Sequence, residues 1–173
     1  MDELKHAARA AYERGRWWWA ARVAVIVVPL VLLSLFTATQ PVFNLVAGSG
    51  LLVATTWLRW RGGDWSAAAE IGLGAGAFAY LVPLAIPACG HCCAPGTACG
   101  LELGPCIAGG VLAGLIIGTR AGAARGVAFG VSAAGVAGLL GALTCAPFGA
   151  AVMAGMAGAL VLTVGTVMVA ARA

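Results

Sequence analysis

The stretch from Pro147 to Ala170, PFGAAVMAGMAGALVLTVGTVMVA, runs for 24 residues without a single charged side chain. About 20 mostly apolar residues, rising about 1.5 Å each in a helix, cross a hydrocarbon layer about 30 Å thick. The stretch therefore reads as a transmembrane helix, and the rest of the chain resembles it. Of 173 residues, 62% are hydrophobic and only 9% charged, with a mean hydropathy of +0.99. A soluble domain carries about a quarter charged residues. The chain is read as an integral membrane protein, and its length allows one bundle rather than several domains.

Moving back toward the amino terminus, five more apolar runs appear, at roughly 126–144, 104–119, 67–88, 42–58 and 17–36. The expected fold is all-α, a polytopic membrane bundle of six transmembrane helices. Residues 1–16 form an amphipathic segment ahead of it, residues 17–173 the transmembrane domain, and residues 89–106 a Cys-rich loop within that domain. The apolar run at 17–36 is longer than the core of a cleaved signal peptide and is followed by helices of similar character. It is read as a retained first span.

Charge sets the expected orientation. Lys5, Arg9, Arg14, Arg16 and Arg22 precede or open the first span. Arg59 and Arg61 lie between the second and third, Arg120 and Arg125 between the fourth and fifth, and Arg172 after the sixth. With both termini in the cytoplasm, all ten basic residues fall inside, as basic loops do in the inner (cytoplasmic) membrane of bacteria. The net charge of +4 is thus explained by topology, and no direct contact with nucleic acid is expected. Membrane lipid is the expected surroundings of the spans. Tryptophans 17, 18, 19, 57, 60 and 65 gather at the same inner interface, where an amphipathic indole is favoured.

Two patterns bear on packing. Glycines recur four apart at Gly110, Gly114 and Gly118, and at Gly122, Gly126 and Gly130, a spacing that lets helix backbones approach in lipid. No membrane-embedded acid, Lys, Asn or Gln is expected to line a path, which argues against an ion-coupled carrier. Pro29, Pro83 and Pro87 should kink or end their spans.

The amino-terminal segment MDELKHAARAAYERGR is helix-prone, with Asp2 and Glu3 early and Arg14 and Arg16 late. Leu4, Ala8, Ala11 and Tyr12 approximate one apolar face. It reads either as an interfacial helix on the inner leaflet or as a docking helix for a cytoplasmic partner.

The cysteines take the opposite side. Cys89, Cys92, Cys93, Cys99 and Cys106 lie in or beside the loop between the third and fourth spans, and Cys145 at the end of the fifth. This assigns them to the outer, oxidising face, where disulfides persist. Within CGHCCAPGTAC (89–99), Cys89 and Cys92 have the spacing of dithiol redox motifs. Such a motif works at a helix amino terminus, whereas this one follows a helix. Cys89, His91, Cys92, Cys93 and Cys99 offer soft ligands for zinc or another soft metal ion, although adjacent cysteines reach one tetrahedral centre only with strain. Otherwise no cofactor is implied. Six cysteines allow fifteen disulfide connectivities. Cys106 and Cys145 can meet if the fourth and fifth helices are neighbours. Structural or sensing disulfides, metal binding and thiol exchange all remain open readings on the residues alone; an enzyme is the least favoured class.

The run PCIAGGVLAGLIIGTRAG (105–122), followed by the chain from Ala124 onward, resembles the carboxy-terminal half of the NrsF-like membrane anti-sigma factors. Cys106, the Arg120 and Arg125 loop, and Cys145 with Pro147 occupy the places of that family's outer cysteines and basic inner loop. Thr144 stands where the family usually has His, and the 89–99 cluster is not part of its pattern. The resemblance implies a membrane anti-sigma factor that sequesters an extracytoplasmic-function sigma factor at the inner face, chiefly through residues 1–16 with Arg59 and Arg61. The cysteines would respond to a periplasmic redox or metal signal. The alternatives are a carrier or sensor of soft heavy-metal ions and, third, a membrane thiol oxidoreductase.

Overall fold

The computed structural model describes residues 2–37, 40–85, 103–122 and 125–172. Among them all regular structure is helical: α1 Asp2–Ala21, α2 Ala24–Thr37, α3 Pro41–Arg61, α4 Gly63–Ala85, α5 Leu103–Ala121, α6 Gly126–Cys145 and α7 Ala150–Ala170, with a 3-10 turn at Ala146–Phe148. Six segments are long and apolar enough to cross a membrane. The expected all-α, six-span class is what the chain adopts, and it is a multi-pass membrane protein.

The first crossing differs from the single helix expected over 17–36. It is built from two helices, α1 and α2, joined at Arg22 and Val23. There the Val23 N–H donates to the Ala20 carbonyl (3.3 Å) and the Val25 N–H to the Arg22 carbonyl (3.2 Å), three residues back instead of four. Pro29 lies one turn further on. It has no N–H for the Val25 carbonyl and its ring crowds that oxygen, a recognised cause of distortion in the preceding turn. The break therefore falls at residues 22–23, while α1 runs unbroken across the expected boundary between residues 16 and 17.

The α3–α4 connection is as short as a chain allows. Gly62 and Gly63 both take positive φ (74° and 56°), a conformation costly for residues with a Cβ. The Gly62 N–H closes α3 on the Leu58 and Arg59 carbonyls. Pro41 opens α3 at a position where a missing N–H costs nothing. Pro83 lies inside α4, in its last turn, and Pro87 falls outside the described residues.

Helices α4 and α6 form the central pair. One buried cluster joins them to α5 and α7 through Ala75, Ala79, Ala113, Ile117, Ala133, Ala137 and Met156. A second joins them to α2 and α3 through Val27, Leu51, Tyr80, Val136 and Leu140. Small residues set the spacing. A Cβ on Gly72 would come within 2.6 Å of the Ala133 carbonyl oxygen, and one on Gly76 within 2.9 Å of the Ala137 Cα. The Gly110, Gly114 and Gly118 stripe faces α7, where added Cβ atoms would meet Met156, Thr163 and Val167 at 2.6–2.7 Å. The second glycine series does not form a face. Gly122 and Gly126 have positive φ (46° and 74°) and belong to the α5–α6 turn, leaving Gly130 alone against Met168. A spacing of four builds a stripe only where the helix is continuous.

These contacts orient the helices. Gly72 on Ala133 and Gly76 on Ala137 make α4 and α6 parallel, and the α5 stripe makes α5 and α7 parallel. Gly109 near the start of α5 packs on Ala79 near the end of α4. Following the alternation, the charged residues from Lys5 to Arg172 on the described helices fall at one end of the bundle, the basic end. The end opposite it holds Cys106 and Cys145.

Candidate functional site

At the cysteine end, Cys106 on the first turn of α5 and Cys145, the last residue of α6, form a disulfide. Their Cα atoms are 6.4 Å apart, inside the span a disulfide bridges without moving backbone. Both residues are completely buried. The Met156 sulfur of α7 lies 3.7 Å from the Cys145 sulfur. The bond thus ties α5 to α6 where α7 also packs. Cys89, His91, Cys92, Cys93 and Cys99 lie outside the described residues. Among the described residues, no group of three His, Cys, Asp or Glu side chains is placed to hold a metal.

Beside the disulfide, an Asn side chain lies buried between helices in the bundle interior. Asn44 on α3 is 1% exposed. Its amide donates to the Ser34 carbonyl of α2 (3.2 Å) and to the Leu143 carbonyl of α6 (3.1 Å). It joins three helices within two residues of Cys145. Its Oδ1 is buried and has no hydrogen-bond partner, which is costly where water is absent. Thr144 donates to the Gly141 carbonyl (3.1 Å) and, at 3.5 Å, to that of Ala79 on α4. Tyr80 donates to the Leu30 carbonyl of α2 (3.0 Å).

The basic end is built from guanidinium groups on aromatic rings. The Arg16 guanidinium lies over Tyr12 and Trp60, at 5.9 and 5.2 Å from the ring centres. It also donates to the Trp60 carbonyl near the end of α3, where helix carbonyls lack partners and a cation is favoured. Arg61 lies over Trp57 (4.6 Å) and Trp65 (5.4 Å). Arg59 is over Trp19 at 4.1 Å and 3.4 Å from the Glu70 carboxylate. Its side chain is only 14% exposed, and its Nε is buried with no hydrogen-bond partner.

Arg59 and Arg61 are therefore not equivalent, although the sequence pairs them. Arg59 is held within the α1–α3–α4 junction, whereas Arg61 stays at the surface. On α1, Ala8, Ala11 and Tyr12 are exposed, as are the residues around them from Arg9 to Gly15. The Leu4 side chain falls outside the described set. Arg9 and Glu13 approach to 3.8 Å across one turn, both largely solvated. This part of the helix is exposed on every side.

Asn44, Met156 and the contact of Arg16 with Trp60 were not singled out by sequence. Asn44 carried a readable signal, because it is the one Asn in the chain and lies within an apolar run. Met156 and the Arg16–Trp60 contact depend on helix pairing and had none.

Fold and site together define a class: a six-span membrane bundle, stapled by a disulfide at one end and carrying an arginine–aromatic belt at the other. In comparisons with known proteins, no family model, no curated protein and no solved structure matches the chain.

Proposed function

We propose that the chain is a membrane-anchored negative regulator, an anti-sigma factor that sequesters an extracytoplasmic-function sigma factor on the exposed half of α1. In this reading the basic end faces the cytoplasm of a bacterium and the cysteine end faces the periplasm. The observation that carries it is the arrangement of two unlike ends on one continuous packing. The disulfide joins α5 to α6 at one end. The α5–α7 stripe runs from Gly110 on Met156 to Gly118 on Val167 at the other. A change in the staple alters the packing that α1 rests upon, through α3, α4 and α6.

Reduction of the disulfide by an external dithiol takes two electrons and two protons and yields two buried thiols. For that event to release a partner, the reduced and oxidised bundles must differ in the packing they favour. The resemblance of residues 105–173 to NrsF-like proteins adds the identity of the partner to this reading. A soft-metal carrier is favoured by no described contact.

The test is binding of sigma factors to the full-length protein in nanodiscs, combined with promoter output in cells. A cognate sigma factor is expected to bind, to lose at least tenfold in affinity with Ala11→Asp/Tyr12→Ala, and to be released in the Cys106→Ala/Cys145→Ala variant. No sigma factor bound, together with unchanged promoters in the double cysteine variant, sinks the reading.

A further inference from the structure

Between α1 and α3 at the basic end lies a groove of about 310 Å³, lined by Trp17, Leu52, Val53, Thr56, Trp57 and Trp60. Its wall is almost wholly apolar, and Thr56 supplies its one hydroxyl. From Leu52 to Trp60 the α3 wall extends eight residues, about 12 Å along the helix axis. This is a shape for a single hydrocarbon chain, and it opens on the outer surface of the bundle where lipid is the surrounding solvent.

The groove is set apart by what its indoles carry. Two of its three indoles carry a guanidinium. Arg16 lies over Trp60 and Arg61 over Trp57. Each guanidinium has five N–H donors in a planar fork suited to phosphate oxygens. Stacking leaves the edges of the fork free to donate, and Arg16 commits only one edge to the Trp60 carbonyl. The nearby acids do not close the mouth. Glu70 is on Arg59, Glu13 is beside Arg9, and Asp64 lies in the first turn of α4. A furrow on α7 lined by Val161, Leu162, Gly165, Thr166, Val169 and Ala170 has no aromatic ring in its lining to carry a guanidinium and serves as the internal contrast.

We infer that this groove is a binding site for one anionic phospholipid, with an acyl chain along Leu52, Val53 and Thr56 and the headgroup phosphate between Arg16 and Arg61. Charge complementarity selects the occupant. A zwitterionic headgroup brings its own cation to a mouth already holding two, whereas a net negative headgroup gains from both. Basic pockets between membrane helices at the cytoplasmic side are suited to such lipids. The bound lipid would fasten α1 to α3 just below the exposed segment that a partner must reach. The site does not depend on what that partner is.

The tryptophans themselves report occupancy, since all six lie at this end of the bundle. The full-length protein is placed in phosphatidylethanolamine nanodiscs with chain-brominated phosphatidylglycerol or, separately, chain-brominated phosphatidylcholine. Quenching of indole emission is then followed against mole fraction. Phosphatidylglycerol is expected to quench at a lower mole fraction, by about fivefold for each guanidinium engaged and so about 25-fold for the pair. Arg16→Gln/Arg61→Gln should bring the two curves together, and Arg61→Gln alone, which leaves the α3 carbonyl contact in place, should close roughly half the gap. Arg120→Gln/Arg125→Gln, on the α5–α6 turn, should leave the preference intact. Coincident curves for the wild-type protein overturn the inference. So does an equal loss in the Arg120/Arg125 variant, which would make the preference one of diffuse surface charge, or a full preference retained by Arg61→Gln.

Discussion

The cysteine end and the basic end of the bundle are held by opposite kinds of force. At the cysteine end the contacts are short, buried and specific: a covalent bond between α5 and α6, an amide joining three helices, and close glycine contacts to backbone, at Gly109 and Gly110. At the basic end they are broad and partly wet: cations over rings at 4.1–5.9 Å and an ion pair with an acid that is 54% exposed. The first set fixes one geometry. The second tolerates adjustment, because a guanidinium over an indole loses little when it slides. A bundle clamped at one end and cushioned at the other is suited to passing a change at the clamp toward the cushion.

The largest effect that would break this contrast comes from the disulfide. Reduction, or Cys106→Ser/Cys145→Ser, is expected to cost about 2–4 kcal/mol, read as a fall in the unfolding midpoint in mild detergent. An effect no larger than that of a basic-end substitution would remove the distinction between the ends.

Next is the glycine spacing. Gly110→Ala places a Cβ 2.6 Å from the Met156 carbonyl oxygen, and backbone cannot yield as a side chain can. A loss of about 1–3 kcal/mol is expected. By contrast Gly74→Ala, with nothing within 4 Å, should be neutral or slightly stabilising, since Ala is the better helix former. The same thermal measurement on both variants decides whether contact or propensity governs.

Asn44→Leu removes two interhelical hydrogen bonds and also removes an oxygen with no partner. Interhelical hydrogen bonds in membranes contribute about 0.6 kcal/mol on average, and relief of the unpartnered oxygen offsets part of that, so a net loss of at most about 1 kcal/mol is expected. It should appear as faster thiol exchange at the neighbouring disulfide as well as a lower midpoint. Smallest is Arg59→Gln. It removes a cation–ring contact and an ion pair screened on the Glu70 side, and the change should stay below about 1 kcal/mol. A loss comparable to that of the disulfide would show that the basic end is as specifically built as its opposite.

The crossings were legible from the chain because a run of apolar residues is local: α3, α6 and α7 begin and end within three residues of where the hydropathy changes. The break at Arg22 and Val23 was less legible. Pro29 announces a distortion, but not the residue at which the backbone yields. The glycine stripe on α5 was readable from spacing, whereas Gly122 and Gly126 have the same spacing and serve as turn residues. Of the candidate site, Cys106 and Cys145 were named from position. The separate fates of Arg59 and Arg61 were hidden, because which of two neighbouring cations turns inward depends on where Trp19 and Glu70 arrive from other helices.

Composition alone settled the solvent in which this protein lives, since so few charges and so many long apolar runs leave burial in lipid as the way to remove that surface from water. The arrangement of charges was also fixed by order along the chain: alternating crossings bring every basic turn to one end. Only the tertiary structure decided which helices touch. It made α4 and α6 the centre, placed Met156 against Cys145, drew Asn44 inward with an unpaired oxygen, and stacked Arg16 and Arg61 on two indoles that line a groove. The reason is physical. Hydropathy is a sum over neighbours in sequence, but close packing between helices depends on shape at contacts tens of residues apart.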